Sequence, residues 1–116
     1  MKEIEDFSRT VASNIEDSDG KKYGFDPTLI IIIGSILINV LSLLVKCHVF
    51  GSLENRVKNP GPIDSILLNR AIKKGLPPEY AHLKDKVKES IIKSSQSLSS
   101  AQISTMLGEA KNEGQS

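Results

Sequence analysis

Residues 27–45, Pro-Thr-Leu-Ile-Ile-Ile-Ile-Gly-Ser-Ile-Leu-Ile-Asn-Val-Leu-Ser-Leu-Leu-Val, are nineteen uncharged positions in a chain of 116. A helix of that length is roughly 29 Å long, against a bilayer hydrocarbon core of about 30 Å. Thirteen of the nineteen are Leu, Ile or Val, which together favour insertion by about 4–8 kcal/mol. Pro27, Gly34, Ser35, Asn39 and Ser42 offset part of that. Six isoleucines and two valines suit strands individually, but the run is longer than the usual strand of about 3–10 residues. Asp26 can cap the segment and Pro27 suits its first turn. The run therefore predicts a helix that crosses a membrane, or one buried among protein neighbours, since a helix apolar all round needs cover of one kind or the other.

Within it, Ser35, Asn39, Ser42 and Lys46 recur at four, three and four residues and share a side. In lipid that side is better turned toward another helix. Gly34 permits a close approach and the Asn39 amide a bond across the interface. Gly34, Ser35, Asn39 and Ser42 are accordingly the candidate helix–helix contacts, with a second copy or another protein as partner.

The rest of the chain leaves short flanks, neither of which alone promises a large core. Residues 1–26 carry four basic and seven acidic groups, residues 46–116 eleven and seven. Lys46, Arg56 and Lys58 against Lys21 and Lys22 lean the positive-inside rule toward a cytoplasmic C-terminal side. Tyr23, Phe25 and Phe50 bracket the run as candidate interface anchors. An acidic stretch before the run and the exit Leu44-Val45-Lys46-Cys47 do not resemble a cleaved signal peptide. Cys47, the sole cysteine, excludes an intrachain disulfide and sits where acylation can occur.

Catalytic and cofactor chemistry finds no pattern. Cys47, His48 and His82 do not make a zinc set, and adjacent Cys and His point to different helical faces. No glycine-rich phosphate loop or paired-acid signature is present. Neither an enzyme nor a cofactor is expected.

The flanks read as helices. Ile4, Phe7, Val11 and Ile15 give residues 2–16 an apolar stripe on an acidic helix, suited to a protein surface rather than anionic lipid. Asp17-Ser18-Asp19-Gly20 is a turn that lacks the remaining ligands of a calcium loop. Asn59-Pro60-Gly61-Pro62 stops any helix. Residues 63–74, with Ile63, Ile66, Leu67 and Ala71 on one side, and residues 79–93, with Leu83, Val87 and Ile91, outline a helical hairpin. Gly75 ends its first arm. Lysines and acids alternate on the second, which reads as a solvated face rather than a nucleic-acid surface. Pro77-Pro78-Glu79-Tyr80 resembles the Pro-Pro-x-Tyr ligands of WW domains, although Pro78 can equally start a helix on which Tyr80 packs. Serines at 94–100 weaken helix, and Ser99 with Gln102 forms a capping box for a helix over 100–111.

The expectation is an all-α chain, a single transmembrane helix with amphipathic helices on both sides. Its parts are an acidic flank (1–26), a span (27–48), a loop (49–62), a helical region (63–111) and a disordered tail (112–116). Such a chain anchors or scaffolds a membrane-associated complex through contacts with the bilayer and with protein. The alternatives are a structural component of a large particle, viral or otherwise, with the apolar helix buried in protein, and a small pore-forming oligomer of the holin kind.

Overall fold

Asp26 accepts a hydrogen bond from the amide of Leu29 at 3.1 Å and so caps the apolar helix at the position its sequence indicates. From that cap α2 runs Pro27–Lys46. The computed structural model describes residues 2–46, 57–59 and 62–114. Before α2 comes α1, Lys2–Ser13. After it come α3, Pro62–Gly75, a 3-10 helix, Pro78–Leu83, α4, Lys84–Ser95, and α5, Ser100–Gly114. The described residues are thus helical except for turns and one isolated bridge, Glu16 to Lys22.

The flanks do not stand apart from the apolar run; together they wrap it. α1, α3 and α5 all pack on α2, α1 also meets α4 and α5, and α3 meets α4. Ile4, Phe7 and Val11 of α1, Leu68, Ala71 and Ile72 of α3, and Ile103, Met106 and Ala110 of α5 are buried with Leu29, Ile33, Ile36, Leu37, Leu41 and Leu44 of α2 in one core. The radius of gyration is 13.3 Å, close to the value of about 13 Å for a folded domain of this size. No single flank supplies enough apolar surface, but three stripes arranged around one helix do.

α1 ends at Ser13, earlier than the periodicity to residue 16 suggests. The amides of Asn14 and Ile15 bond three residues back to Val11 and Ala12, tightening the last turn. The chain then reverses through Asp17, whose Oδ1 accepts from the amides of Asp19 and Lys21, both at 2.9 Å. Gly20 takes a φ of 84°, which glycine adopts without steric cost. α1 returns antiparallel along α2: a Cβ on Gly34 would lie 3.4 Å from Ser8 Oγ.

In α3 the inward stripe is Asp64, Leu68, Ala71 and Ile72, and Ile66 is 56% exposed. The face predicted through Ile66 is therefore displaced by about one position. Gly75 lies on the observed stripe, and a Cβ there would stand 2.7 Å from Ile36 Cγ1. Only a glycine lets the end of α3 come this near α2, and that approach selects the stripe. Gly75→Val is expected to cost about 1–3 kcal/mol by forcing the two helices apart, read as a lowered midpoint in urea unfolding.

The hairpin's second arm starts as the 3-10 helix rather than as regular α-helix, with Pro78 in its first turn. Leu83, Val87 and Ile91 are buried as their spacing indicates. The capping box forms: the Ser99 amide donates to Gln102 Oε1 at 2.9 Å and the Gln102 amide to Ser99 Oγ at 3.1 Å. The serine run breaks the helix at 96–99, and α5 extends to Gly114, into the segment 112–116 expected to be disordered.

Candidate functional site

α5 ties back to both earlier helices and leaves one part of α2 uncovered. The Glu109 carboxylate accepts the amides of Glu3 and Ile4, at 3.2 and 3.0 Å, supplying α1 with the N-terminal partner its own sequence lacks. Burial opposes ionisation of Glu109, but these two amides help hold its carboxyl below the ordinary value. At the next residue of α5, the carbonyl of Ala110 accepts a hydrogen bond from Ser42 Oγ at 3.0 Å. α5 therefore covers the C-terminal half of α2, while the N-terminal half is bordered by α1.

The four candidate contact residues are thereby separated. Gly34 lies against Ser8 of α1. Ser42 is buried against α5. Ser35, whose Oγ donates to the carbonyl of Ile31 at 3.2 Å, and Asn39 stay on the exposed side. Cys47, the candidate for acylation, and Phe50 lie outside the described residues. Of the other bracketing aromatics, Tyr23 is buried and Phe25 is fully exposed.

Between α1 and the open part of α2 runs a groove of about 380 Å³. Its floor and walls are Ile30, Ile31, Gly34 and Ile38 of α2 with Ile4 and Ser8 of α1. Ile31 is 70% exposed, an apolar side chain standing where a core residue is expected from the run alone. On the rim, Arg9 Nη2 donates to Glu5 Oε1 at 2.9 Å, one helical turn apart. The Ser8 hydroxyl, on the side of α1 that meets Gly34, donates to the carbonyl of Ile4 at 2.7 Å. The contribution of α1 to this groove was visible in sequence only as a serine within the stripe of Ile4, Phe7 and Val11, a small residue facing the glycine of α2.

Where the five α-helices converge there is a second space, a partly open apolar pocket of about 50 Å³ lined by Phe7, Leu37, Leu41, Leu68, Ile91 and Met106 among others. Its predominantly apolar lining gives water few partners. Polar groups elsewhere fasten helices to one another: Ser90 Oγ donates to the carbonyl of Val11 at 2.8 Å, and Asn14 Nδ2 to Ser94 Oγ at 3.3 Å. Among the described residues, no buried side-chain nitrogen or oxygen lacks a hydrogen-bond partner and no three His, Cys, Asp or Glu side chains gather as a metal set.

The tyrosine of the Pro-Pro-x-Tyr segment is also engaged. Tyr80 donates its hydroxyl to Asp26 Oδ2 at 2.8 Å, and its ring meets Tyr23 edge-on with centroids 6.4 Å apart. Tyr23 in turn donates to Asp17 Oδ2 at 3.0 Å. The hydrogen bond to Asp26 and burial raise the Tyr80 phenol above its ordinary value; burial and Asp17 do the same for Tyr23. For Asp26, burial disfavours the charge, yet the Leu29 amide, the Tyr80 hydroxyl and the Thr28 amide outweigh it and lower the carboxyl.

These features define an all-α helical bundle with an apolar central helix and one open groove on it. In comparisons with protein-family models, curated proteins and solved structures, no match to this chain is found.

Proposed function

We propose that the chain is a non-catalytic scaffold component that works through helix contacts, with α2 covered by protein and the α1–α2 groove as its docking face. The observation that carries this reading is the exposed Ile31 beside Gly34 in a groove with an apolar floor and a charged rim. It supports the structural-component alternative of the sequence, with the cover supplied first by the chain itself.

A single-pass anchor is the second reading, favoured by a helix of 20 residues with mean hydropathy 2.7. Its C-terminal side would face the cytoplasm. Inserting α2 requires α1, α3 and α5 to leave it, which uncovers Ile4, Phe7, Val11, Ile72, Ile103 and Met106. Stripping those stripes opposes the gain from lipid, so the closed bundle is the form we favour. A pore lined by Ser35, Asn39 and Ser42 would have to break the bond from Ser42 to Ala110 first.

The test is fractionation of cells expressing the full chain, comparing alkaline carbonate with mild detergent. Release by carbonate without detergent is expected. Retention through carbonate, with release by detergent alone, would overturn the protein-covered reading and establish the anchor.

A further inference from the structure

We infer that the partner at the α1–α2 groove is a second copy of this chain, docked about a two-fold axis near Gly34; this rests on the scaffold reading and names its occupant. The groove is complementary to itself. On α2 the sequence Ile31-x-x-Gly34-Ser35-x-x-Ile38 reads the same in either direction about the bond between Gly34 and Ser35, apart from that central pair. An antiparallel copy crossing there sets each Ile31 against the partner's Ile38 and each Gly34 against the partner's Ser35. The apolar side chains then meet on both sides of a centre where the small residues let the backbones approach. An isologous interface requires this reciprocity.

The rim obeys the same symmetry. Ser8 faces Gly34, and Glu5 and Arg9 flank Ser8 on α1. In a lone chain the two side chains pair with each other while 57% and 58% exposed, an arrangement worth little in water. An axis passing near Gly34 and Ser8 brings each Glu5 toward the partner's Arg9, so the signs match across the contact as well as along the helix. Ile31, 70% exposed in the single chain, is the residue whose environment changes most.

The experiment is sedimentation velocity on the full-length chain in detergent-free buffer, from about 1 to 200 μM, a range that brackets micromolar affinity. The mass is expected to rise from that of one chain, 12.7 kDa, toward twice that value. Ile31→Glu, which removes an isoleucine from both sides of the two-fold contact, should weaken the dimer by about 100-fold or more, with helical content unchanged and the thermal midpoint unchanged at dilutions where both proteins are monomeric. Arg9→Glu should weaken it, and the double exchange Glu5→Arg with Arg9→Glu should restore it, because each rim again meets its opposite. A constant monomer mass, a dimer indifferent to Ile31→Glu, or a double exchange no better than Arg9→Glu alone would each overturn the two-fold contact. Flotation with phosphatidylcholine vesicles that depends on Ile31 in a chain that stays monomeric would assign the face to lipid instead. Carbonate release is independent of all these outcomes, so a monomer that is released removes the second copy while leaving a protein-covered scaffold in place.

Discussion

In the monomer, replacing Ile33 by alanine is expected to cost about 3–4 kcal/mol, whereas Ile31→Ala, two residues away on the same helix, should stay within about 0.5 kcal/mol. Ile33 is wholly buried in the core and Ile31 is 70% exposed. For a domain of this size the first change lowers the thermal midpoint by roughly 12–16 °C. The pair discriminates between the two covers available to α2. In lipid both isoleucines would face hydrocarbon, each contributing only about 0.3–0.6 kcal/mol to insertion, and the two substitutions would behave alike. Equal midpoints for the two variants, measured by circular dichroism without detergent, would mean that α2 is not packed as described.

Asp26→Ala is expected to cost about 2–3 kcal/mol, combining a lost helix cap of about 1 kcal/mol with the loss of a charged acceptor for a half-buried phenol. Asp26 serves the Leu29 amide through one oxygen and the Tyr80 hydroxyl through the other. Tyr80→Phe removes one of these bonds and should cost about 1 kcal/mol. The double variant should then fall short of the sum of the single ones by about 1 kcal/mol, since both changes delete the same bond. Additive effects in urea unfolding would show that the bond contributes nothing. Acid supplies a further reading of the same group. The folded-state carboxyl of Asp26 titrates below its ordinary value, so the unfolded chain binds the proton first. Its stabilising contribution is complete above the unfolded value of about 3.9 and is lost as pH falls through the folded one. Asp17, held low chiefly by the Lys21 amide, and Glu109 act in the same direction. Unfolding free energy should therefore decline below about pH 4, and Asp26→Asn should flatten that decline in part.

Local signals were legible in the sequence wherever one short stretch carries its own explanation. Asp26-Pro27 marks the start of α2, Ser99 and Gln102 the start of α5, Asp17 to Gly20 the first reversal, and Gly75 the end of α3. Each is a capping or turn device whose partners lie within a few residues. The cover of α2 was not legible for a physical reason. Hydropathy along residues 27–45 measures what the helix avoids and is silent on what meets it. Its complement is divided among Ile4, Phe7 and Val11, then Leu68, Ala71 and Ile72, then Ile103, Met106 and Ala110, each stripe modest by itself. The same limit applied to the small and polar residues of α2. Their spacing places them on one side of a helix, but a single side can meet several neighbours along its length. Ser42 meets α5, Gly34 meets α1, and Ser35 and Asn39 meet solvent. The groove needed both helices in place before Ile31 could be seen as its exposed wall.

The bond from Ser42 to Ala110 joins residues 68 positions apart, and this separation has a consequence in time. At about 5–20 residues per second of synthesis, α2 leaves the ribosome about 3–14 s before the helix that closes over it. During that interval the nascent chain presents an apolar helix of membrane-spanning length, still bare on the side that α5 will close, to any insertion machinery nearby. Its destination then depends on a race between capture by that machinery and the arrival of α5, and slowing elongation between residues 46 and 100 would tilt the race toward capture.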